Sequence, residues 1–205
     1  MIISNKHKFI FLKNRKVAGS TFEKLIFPHL GDDDVCTGSP TDNTPSLNDV
    51  TGAGHMTSSQ IQSIYPDQWR EYYKFAIERN PWDKCVSAFK WHSVIKPHLP
   101  GVRENDFNLY LKTQIDLLPT DWNRYTENDL IVTDTVFTVE NISKLYDVMS
   151  SKFNIDIPEE IYYNTRLKKT KRKHYSQYYD GESKEIVDQL FKHEIRTFGY
   201  EYEQG

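Results

Sequence analysis

Three short apolar runs along the chain predict β-strands. They read KFIFLK over residues 8–13, KFAIE over residues 74–78 and TVFTV over residues 135–139. Each run is shorter than a typical helix and is bounded by charged or turn-forming residues. We therefore expect three buried strands.

The segments between and after these strands show helical spacing of apolar residues. Helices are predicted over residues 20–30, 57–65, 81–96, 106–115, 142–153 and 183–198. Strands separated by helices, joined by right-handed crossovers, indicate an α/β fold with a parallel sheet covered on both faces. A chain of 205 residues fits one domain over residues 1–205.

Residues 31–54 are rich in Asp, Thr, Ser, Pro and Gly and have no apolar period. This pattern predicts a long surface loop. Ordered loops of this length often act as lids, and this one precedes His55, so contact with a substrate is a hypothesis.

Charge, cysteine spacing and the length of apolar runs exclude several classes of function. The net charge of −3 means that affinity for anions must come from local clusters, which argues against a nucleic-acid-coating role. Cys36 and Cys85 have no metal or redox spacing, and no His, Cys or Asp cluster has ligand spacing, so we expect no metal and a reducing compartment. No apolar run approaches the roughly 18 residues that span a bilayer, so the expectation is a cytoplasmic protein without membrane contact.

The segment after the first predicted strand, KNRKVAGST over residues 13–21, has the chemistry of an anion cradle. A strand-to-helix loop offers backbone N–H groups and the positive end of the helix dipole. Gly19 lets the backbone approach a phosphate, Ser20 and Thr21 add hydroxyl donors, and Lys16 or Arg15 supplies charge. The alternative is a basic turn followed by a helix that Ser20 or Thr21 caps.

The order of residues in this loop differs from a Walker A motif, where the lysine follows the glycines. Here Lys16, Val17 and Ala18 precede Gly19. The order K-V-A-G-S-T resembles the 5′-phosphosulfate loop of sulfotransferases, particularly the carbohydrate-modifying branch. The resemblance implies that residues 15–21 bind the donor and that Lys16 donates to the leaving oxygen.

A second candidate anion site begins at Arg79, after the second predicted strand, and includes Ser87 eight positions later. Arginine can fork two N–H donors onto a phosphate, and the serine hydroxyl can reach the same anion. The segment resembles the 3′-phosphate motif of sulfotransferases. The alternatives are an ion pair for Arg79 and a hydroxyl bonded to its own helix for Ser87.

The C-terminal part extends the resemblance, with a basic run over residues 167–175 and a terminal F-G-Y at residues 198–200. Arg172 and Lys173 are implied as further donors to the 3′-phosphate. The alternative is a solvated basic loop.

Together these features imply a sulfotransferase that uses 3′-phosphoadenosine 5′-phosphosulfate (PAPS) as donor, releases adenosine 3′,5′-bisphosphate (PAP), and sulfates a hydroxyl acceptor, expected to be a carbohydrate. One nucleotide would be held by both clusters. His55, in GAGHMT, is the candidate general base because imidazole titrates near neutral pH. Some relatives use a glutamate instead, and the alternative for His55 is a capping or packing role.

Weaker candidates remain. Lys13 and Arg15 compete with Lys16, although Lys13 is expected to end the strand, and Glu140 is expected to cap a helix or hold a basic residue. The less favoured histidines are His92, His98, His174 and His193, and the aromatics considered for sugar stacking are Trp91, Trp122 and Tyr125. A nucleotide-dependent kinase and a non-catalytic nucleotide- or glycan-binding module are the competing functions, and the oligomeric state stays open.

Overall fold

The computed structural model describes residues 1–38, 45–49, 53–157 and 172–205. By contacts between residues the chain forms two compact units. Unit 1 comprises Met1–Glu78 and Asn123–Lys169, and unit 2 comprises Arg79–Trp122 and Thr170–Gly205. The expectation of a single domain over residues 1–205 stays a prediction.

The strands described in unit 1 are β1 Ile2–Ser4, β2 Phe9–Leu12, β3 Val35–Cys36, β4 Tyr73–Glu78, β5 Thr126–Glu127, β6 Leu130–Ile131 and β7 Thr135–Thr138. They form a five-stranded sheet with the strand order β3-β1-β2-β4-β7 and a separate β5-β6 pair. Strands β2, β4 and β7 are parallel, whereas β1 is antiparallel to both β2 and β3.

The α/β class and the three predicted strands are confirmed, since they correspond to β2, β4 and β7. The central strands β2, β4 and β7 are parallel as predicted, and β1 and β3 add an antiparallel edge that the sequence analysis did not predict. Residues 31–54 are also not one surface loop. They contain β3, and Cys36 additionally bridges to Leu47.

The α-helices among the described residues are α1 Gly19–Ile26, α2 Ser58–Ile64, α3 Pro66–Glu71, α4 Pro81–Ile95, α5 Phe107–Thr113, α6 Trp122–Tyr125, α7 Ser143–Phe153, α8 Gly181–Leu190 and α9 Lys192–Phe198. None of these helices is long and apolar enough to cross a bilayer. The predicted helix over residues 183–198 is two helices, because the chain turns at the fully buried Phe191.

Aromatic residues form the core on one face of the sheet in unit 1. Phe11 of β2 packs against Phe22 of α1 with ring centroids 4.8 Å apart, and Phe9 packs against Phe153 of α7 at 5.2 Å. The opposite face is covered too, since Ile10 is fully buried. Helices α1 and α7 therefore lie on the same face, where burial of aromatic surface holds them to the sheet.

The carboxyl ends of β2 and β4 lie side by side, with Leu12 opposite Ala76. The Asn14 amide then donates to the Ile77 carbonyl over 3.1 Å and to Glu78 Oε1 over 2.8 Å. This buried amide fixes the start of the loop that follows β2 against the end of β4.

Candidate active site

The loop between β2 and α1 has an unusual backbone. Lys16 and Ala18 adopt left-handed conformations with φ of 63° and 61°, whereas Arg15 and Val17 do not. For residues with a Cβ this conformation costs roughly 1–2 kcal/mol each. Alternating conformations of this kind turn successive N–H groups toward one point and form anion-binding nests. The strain therefore marks the loop as a candidate binding site.

The amino end of α1 is open to a ligand. The helix begins at Gly19 with Ala18 as N-cap, and no side chain of the described residues caps it. The expectation that Ser20 or Thr21 caps this helix is wrong, because both lie within its first turn. Their hydroxyls make no hydrogen bond to the described part of the chain, so an anion can satisfy the free N–H groups.

Val17 and Gly19 hold the loop in place by packing. The Val17 side chain is fully buried in the core of unit 1, so its contribution to an anion site is its backbone. A Cβ on Gly19 would lie 2.9 Å from Lys13 Cγ. The glycine is thus required by the close approach of the Lys13 stem.

Lys13 is not a free cation of the loop. Its Nζ lies 2.5 Å from Glu23 Oε2, and both side chains are buried. Glu23 Oε1 also accepts from the buried amino group of Met1 over 2.6 Å, so the loss of Glu23 would leave buried positive charge without its counter-ion. Lys16 and Arg15, the other two cations of the loop, are partly exposed.

His55 lies next to the start of this loop. Its Nδ1 is 2.8 Å from the Lys13 carbonyl oxygen. A carbonyl only accepts, so Nδ1 carries the hydrogen and the neutral ring keeps Nε2 as an acceptor. Nε2 makes no hydrogen bond to the residues that the structure describes. The ring is therefore set up to take a proton through Nε2.

Desolvation lowers the pKa of His55 to about 4, and the charges of Lys13 and Arg124 act in the same direction. The residue as a whole is exposed, so the desolvated part is the side of the ring turned to Lys13. At neutral pH the imidazole is uncharged, which is the form that a general base requires.

In unit 2, two of the predicted phosphate ligands meet at one carboxylate. The guanidinium of Arg79 donates from Nε to Asp83 Oδ2 over 2.8 Å and makes a shorter contact through Nη2. Arg172 binds Asp83 Oδ1. Burial opposes ionisation of Asp83, but the two guanidinium groups outweigh it and lower its pKa. Asp83 thus aligns two arginines that are distant in sequence.

This arrangement contains the ion pair considered as the alternative for Arg79, yet two donors remain for an anion. Arg172 Nη1 is buried and has no partner among the described residues. The Ser87 hydroxyl, on α4, likewise makes no hydrogen bond within that part of the chain, so the back-bonded alternative for Ser87 is not observed. Lys173 is exposed.

Three of the four weaker histidine candidates have contacts elsewhere in the protein. His92 Nδ1 is 2.8 Å from the Tyr110 hydroxyl, His174 caps a 3-10 helix through Ser176, and His193 stacks on Trp122. His98 is exposed at the surface.

The other residues weighed in the sequence fall outside the two clusters. Tyr125 is fully buried, so its ring is not available to stack on a sugar. Trp91 is half-buried. Glu140 lies exposed in the 3-10 helix Val139–Asn141, and no described side chain caps α7.

Sequence reasoning missed Asp83 as the partner of two arginines and Arg124 as a charge near His55. The R-N-P-W-D run contains Asp83, four residues after Arg79, which is the spacing of a helical ion pair. Nothing in the sequence signals Arg124. Most of the basic run over residues 167–175 lies outside the described residues.

A strand-to-helix loop with an uncapped helix, at the carboxyl edge of an α/β sheet, is typical of proteins that bind nucleotide phosphates. The family model described as the sulfotransferase family matches residues 1–201, and the chain belongs to this family. The match favours sulfuryl transfer over the kinase and the non-catalytic module.

One curated relative is carbohydrate sulfotransferase 10 of Xenopus laevis, which is 24% identical over 106 residues. The aligned part is 52% of this chain and 29% of that relative. No solved structure matches the chain significantly. The cytoplasmic location stays a prediction.

Proposed function

We propose that this protein transfers a sulfuryl group from PAPS to a hydroxyl of a carbohydrate. The observation that carries the proposal is the pairing of the left-handed loop over Lys16 and Ala18 with a neutral His55 beside it. Family membership supports the transferase activity. The Xenopus relative is a carbohydrate sulfotransferase, which supports the choice of acceptor.

Each of the two clusters has groups that suit one anionic end of PAPS. The uncapped first turn of α1 and the hydroxyls of Ser20 and Thr21 suit the 5′-phosphosulfate end. The buried Arg172 Nη1, lacking a partner among the described residues, and the Ser87 hydroxyl suit the 3′-phosphate.

Two residues have chemical tasks in the transfer. His55 Nε2 accepts the proton of the acceptor hydroxyl as its oxygen bonds to sulfur. The S–O bond to the nucleotide phosphate breaks, and the Lys16 ammonium stabilises the charge on the departing oxygen. The products are a sulfate ester, PAP and a proton held by His55.

A transfer assay with radiolabelled PAPS and a panel of carbohydrate acceptors tests the activity. We expect Lys16→Ala and His55→Ala each to abolish transfer while PAP binding is largely kept. Lys24→Ala is the matched control, because Lys24 is an exposed lysine on α1. Full transfer by either active-site variant would remove that residue from the mechanism.

A second experiment pairs ligand truncation with residue truncation. Ser87→Ala should weaken PAP binding by about tenfold, the loss typical of a hydrogen bond to a charged group, and should leave binding of adenosine 5′-monophosphate unchanged. Ser93→Ala on the same helix is the control, because its hydroxyl donates to the Phe89 carbonyl. Equal losses for both nucleotides would show that Ser87 does not recognise the 3′-phosphate.

A further inference from the structure

An open cleft of about 490 Å³ lies in unit 1 at the amino ends of the parallel strands. Lys8 directly precedes β2, Tyr73 begins β4 and Asp134 directly precedes β7, and all three line the cleft. The phosphate-cradling loop follows the carboxyl end of β2, so the cleft is at the opposite edge of the sheet. Its volume is in the range of small-molecule sites.

Positive charge is concentrated in this cleft although the chain has a net charge of −3. The side chains that line it include four cations and two carboxylates, namely Lys8, Arg70, Lys74, Lys152, Glu71 and Asp134. A local excess of cations attracts anionic ligands.

Two of the cations are already used within the protein. Lys74 Nζ donates to the Tyr72 carbonyl over 2.7 Å and to the Trp69 carbonyl over 3.2 Å. Arg70 pairs with Asp67 at 2.9 Å and with Glu71. The Lys74 ammonium therefore has little donor capacity left, whereas Arg70 uses only Nη2 in its two ion pairs.

Lys152 and Lys8 have donor capacity remaining. Lys152 Nζ lies 3.8 Å from the centre of the Tyr73 ring and has no hydrogen-bond acceptor among the described residues. Lys8 Nζ has the Tyr72 hydroxyl at 3.2 Å as its acceptor there. Each ammonium carries three N–H donors, so both can bind a further anion. The aromatic rings beneath them hold the two side chains in place.

We propose that this cleft binds a sulfated oligosaccharide through Lys8 and Lys152. The sulfate groups would pair with the two ammonium groups, and sugar hydroxyls would donate to the exposed carboxylates of Asp134 and Glu71. The choice of a saccharide rests on the proposed function, whereas the anion preference follows from the cleft alone.

Calorimetric titration at physiological ionic strength with a chondroitin sulfate tetrasaccharide tests the proposal. We expect Lys8→Met and Lys152→Met each to weaken binding by about tenfold, the loss of one charged hydrogen bond. Lys144→Met is the matched control, since Lys144 is an exposed lysine on the same helix as Lys152 and does not line the cleft. Absence of binding to the unaltered protein, or an equal loss in Lys144→Met, would overturn the proposal.

Two further titrations test whether the sulfate groups and the saccharide are both recognised. Unsulfated chondroitin tetrasaccharide should bind at least tenfold more weakly, and equal affinity would overturn the role of sulfate. Inorganic sulfate should bind more weakly than the sulfated saccharide, and equal affinity per molecule would overturn saccharide recognition.

Saturation with PAP separates the cleft from the proposed active site. Saccharide binding should be unchanged by PAP, and competition would overturn the cleft as the site. A protein that binds the saccharide but neither binds PAP nor transfers sulfuryl groups would contradict the proposed function and leave the cleft in place.

Discussion

Lys13 and Lys16 carry the same ammonium group three positions apart, and the fold gives them different tasks. Lys13 is buried and forms an ion pair with Glu23 inside the protein. Lys16 is partly exposed on a left-handed backbone. Burial therefore distinguishes two lysines that residue type alone does not, and it supports the proposal that Lys16 carries the catalytic charge.

His55 offers a prediction at the same scale. Because its pKa is lowered to about 4, the free protein should hold a neutral imidazole throughout pH 5–8. NMR titration of the ring Cε1–H signal measures this, with the His55→Gln spectrum to assign the peak. A midpoint near 6.5 in the free protein would contradict the expectation.

Binding of PAP should raise this pKa. The cations Lys13 and Arg124 help to lower it, and the negative charges of a bound nucleotide oppose them. The same titration repeated with saturating PAP checks the direction of the shift. An unchanged midpoint would mean that the nucleotide does not bind close to His55.

At the scale of elements, the strands that the sequence predicts are those whose apolar runs are longest. Strands β2, β4 and β7 have four to six residues, whereas β1 has three and β3 two. A two-residue edge strand is too short to show alternation of apolar and polar residues. Its pairing with β1 is a contact between distant parts of the chain, which a local pattern does not contain. The antiparallel edge was therefore beyond local pattern reasoning.

In the candidate site, too, local sequence features were easier to predict than contacts between distant residues. Lys16, Arg79 and Ser87 are predicted from the order of residues in two motifs, which is local information, and their roles stay predictions. The shared use of Asp83 by Arg79 and Arg172 was not, because Arg172 is distant in sequence. The left-handed Ala18 also escapes prediction, since alanine prefers the right-handed helical region.

The backbone of the loop before α1 gives a prediction about stability. Ala18→Gly should raise the free energy of unfolding by about 0.5–1 kcal/mol. Glycine adopts positive φ without the steric cost of a Cβ, and this gain is larger than the entropy that glycine loses on folding. Urea denaturation measures the change. Ala88→Gly in α4 is the control, and it should be destabilising because its site is helical. A loss of stability in Ala18→Gly would argue against the left-handed conformation.

For the whole molecule, buried charge sets how stability depends on pH. Lys84 and Asp121 form a fully buried ion pair at 3.0 Å. Glu194 is also buried, and neither of its carboxyl oxygens has a partner among the described residues. Burial raises the pKa of Glu194, with Lys84 opposing the shift. The folded protein therefore retains this proton where the unfolded chain loses it.

The sign of the effect follows from that difference in proton binding. Above pH 4.5, the ordinary pKa of this carboxyl group, the unfolded chain releases the proton. The folded protein must either keep the proton on Glu194 or bury a negative charge, so the free energy of unfolding falls as the pH rises from there through the raised pKa of the folded state. Glu194→Gln removes the ionisation, and its advantage over the unaltered protein should grow with pH to the order of 1 kcal/mol. Urea unfolding at pH 5 and pH 8, followed by tryptophan fluorescence, measures the difference. Three of the four tryptophans, Trp82, Trp91 and Trp122, lie in the same unit as Glu194.

Glu185→Gln is the matched control for this experiment, because Glu185 is exposed on the neighbouring α8. It should leave the slope of stability against pH unchanged. If Glu194→Gln changed stability equally at both pH values, the carboxyl group would have its ordinary pKa, and the slope would have to come from another buried group. A smaller slope in Glu194→Gln alone would instead identify this single carboxyl as a source of the pH dependence of the whole fold.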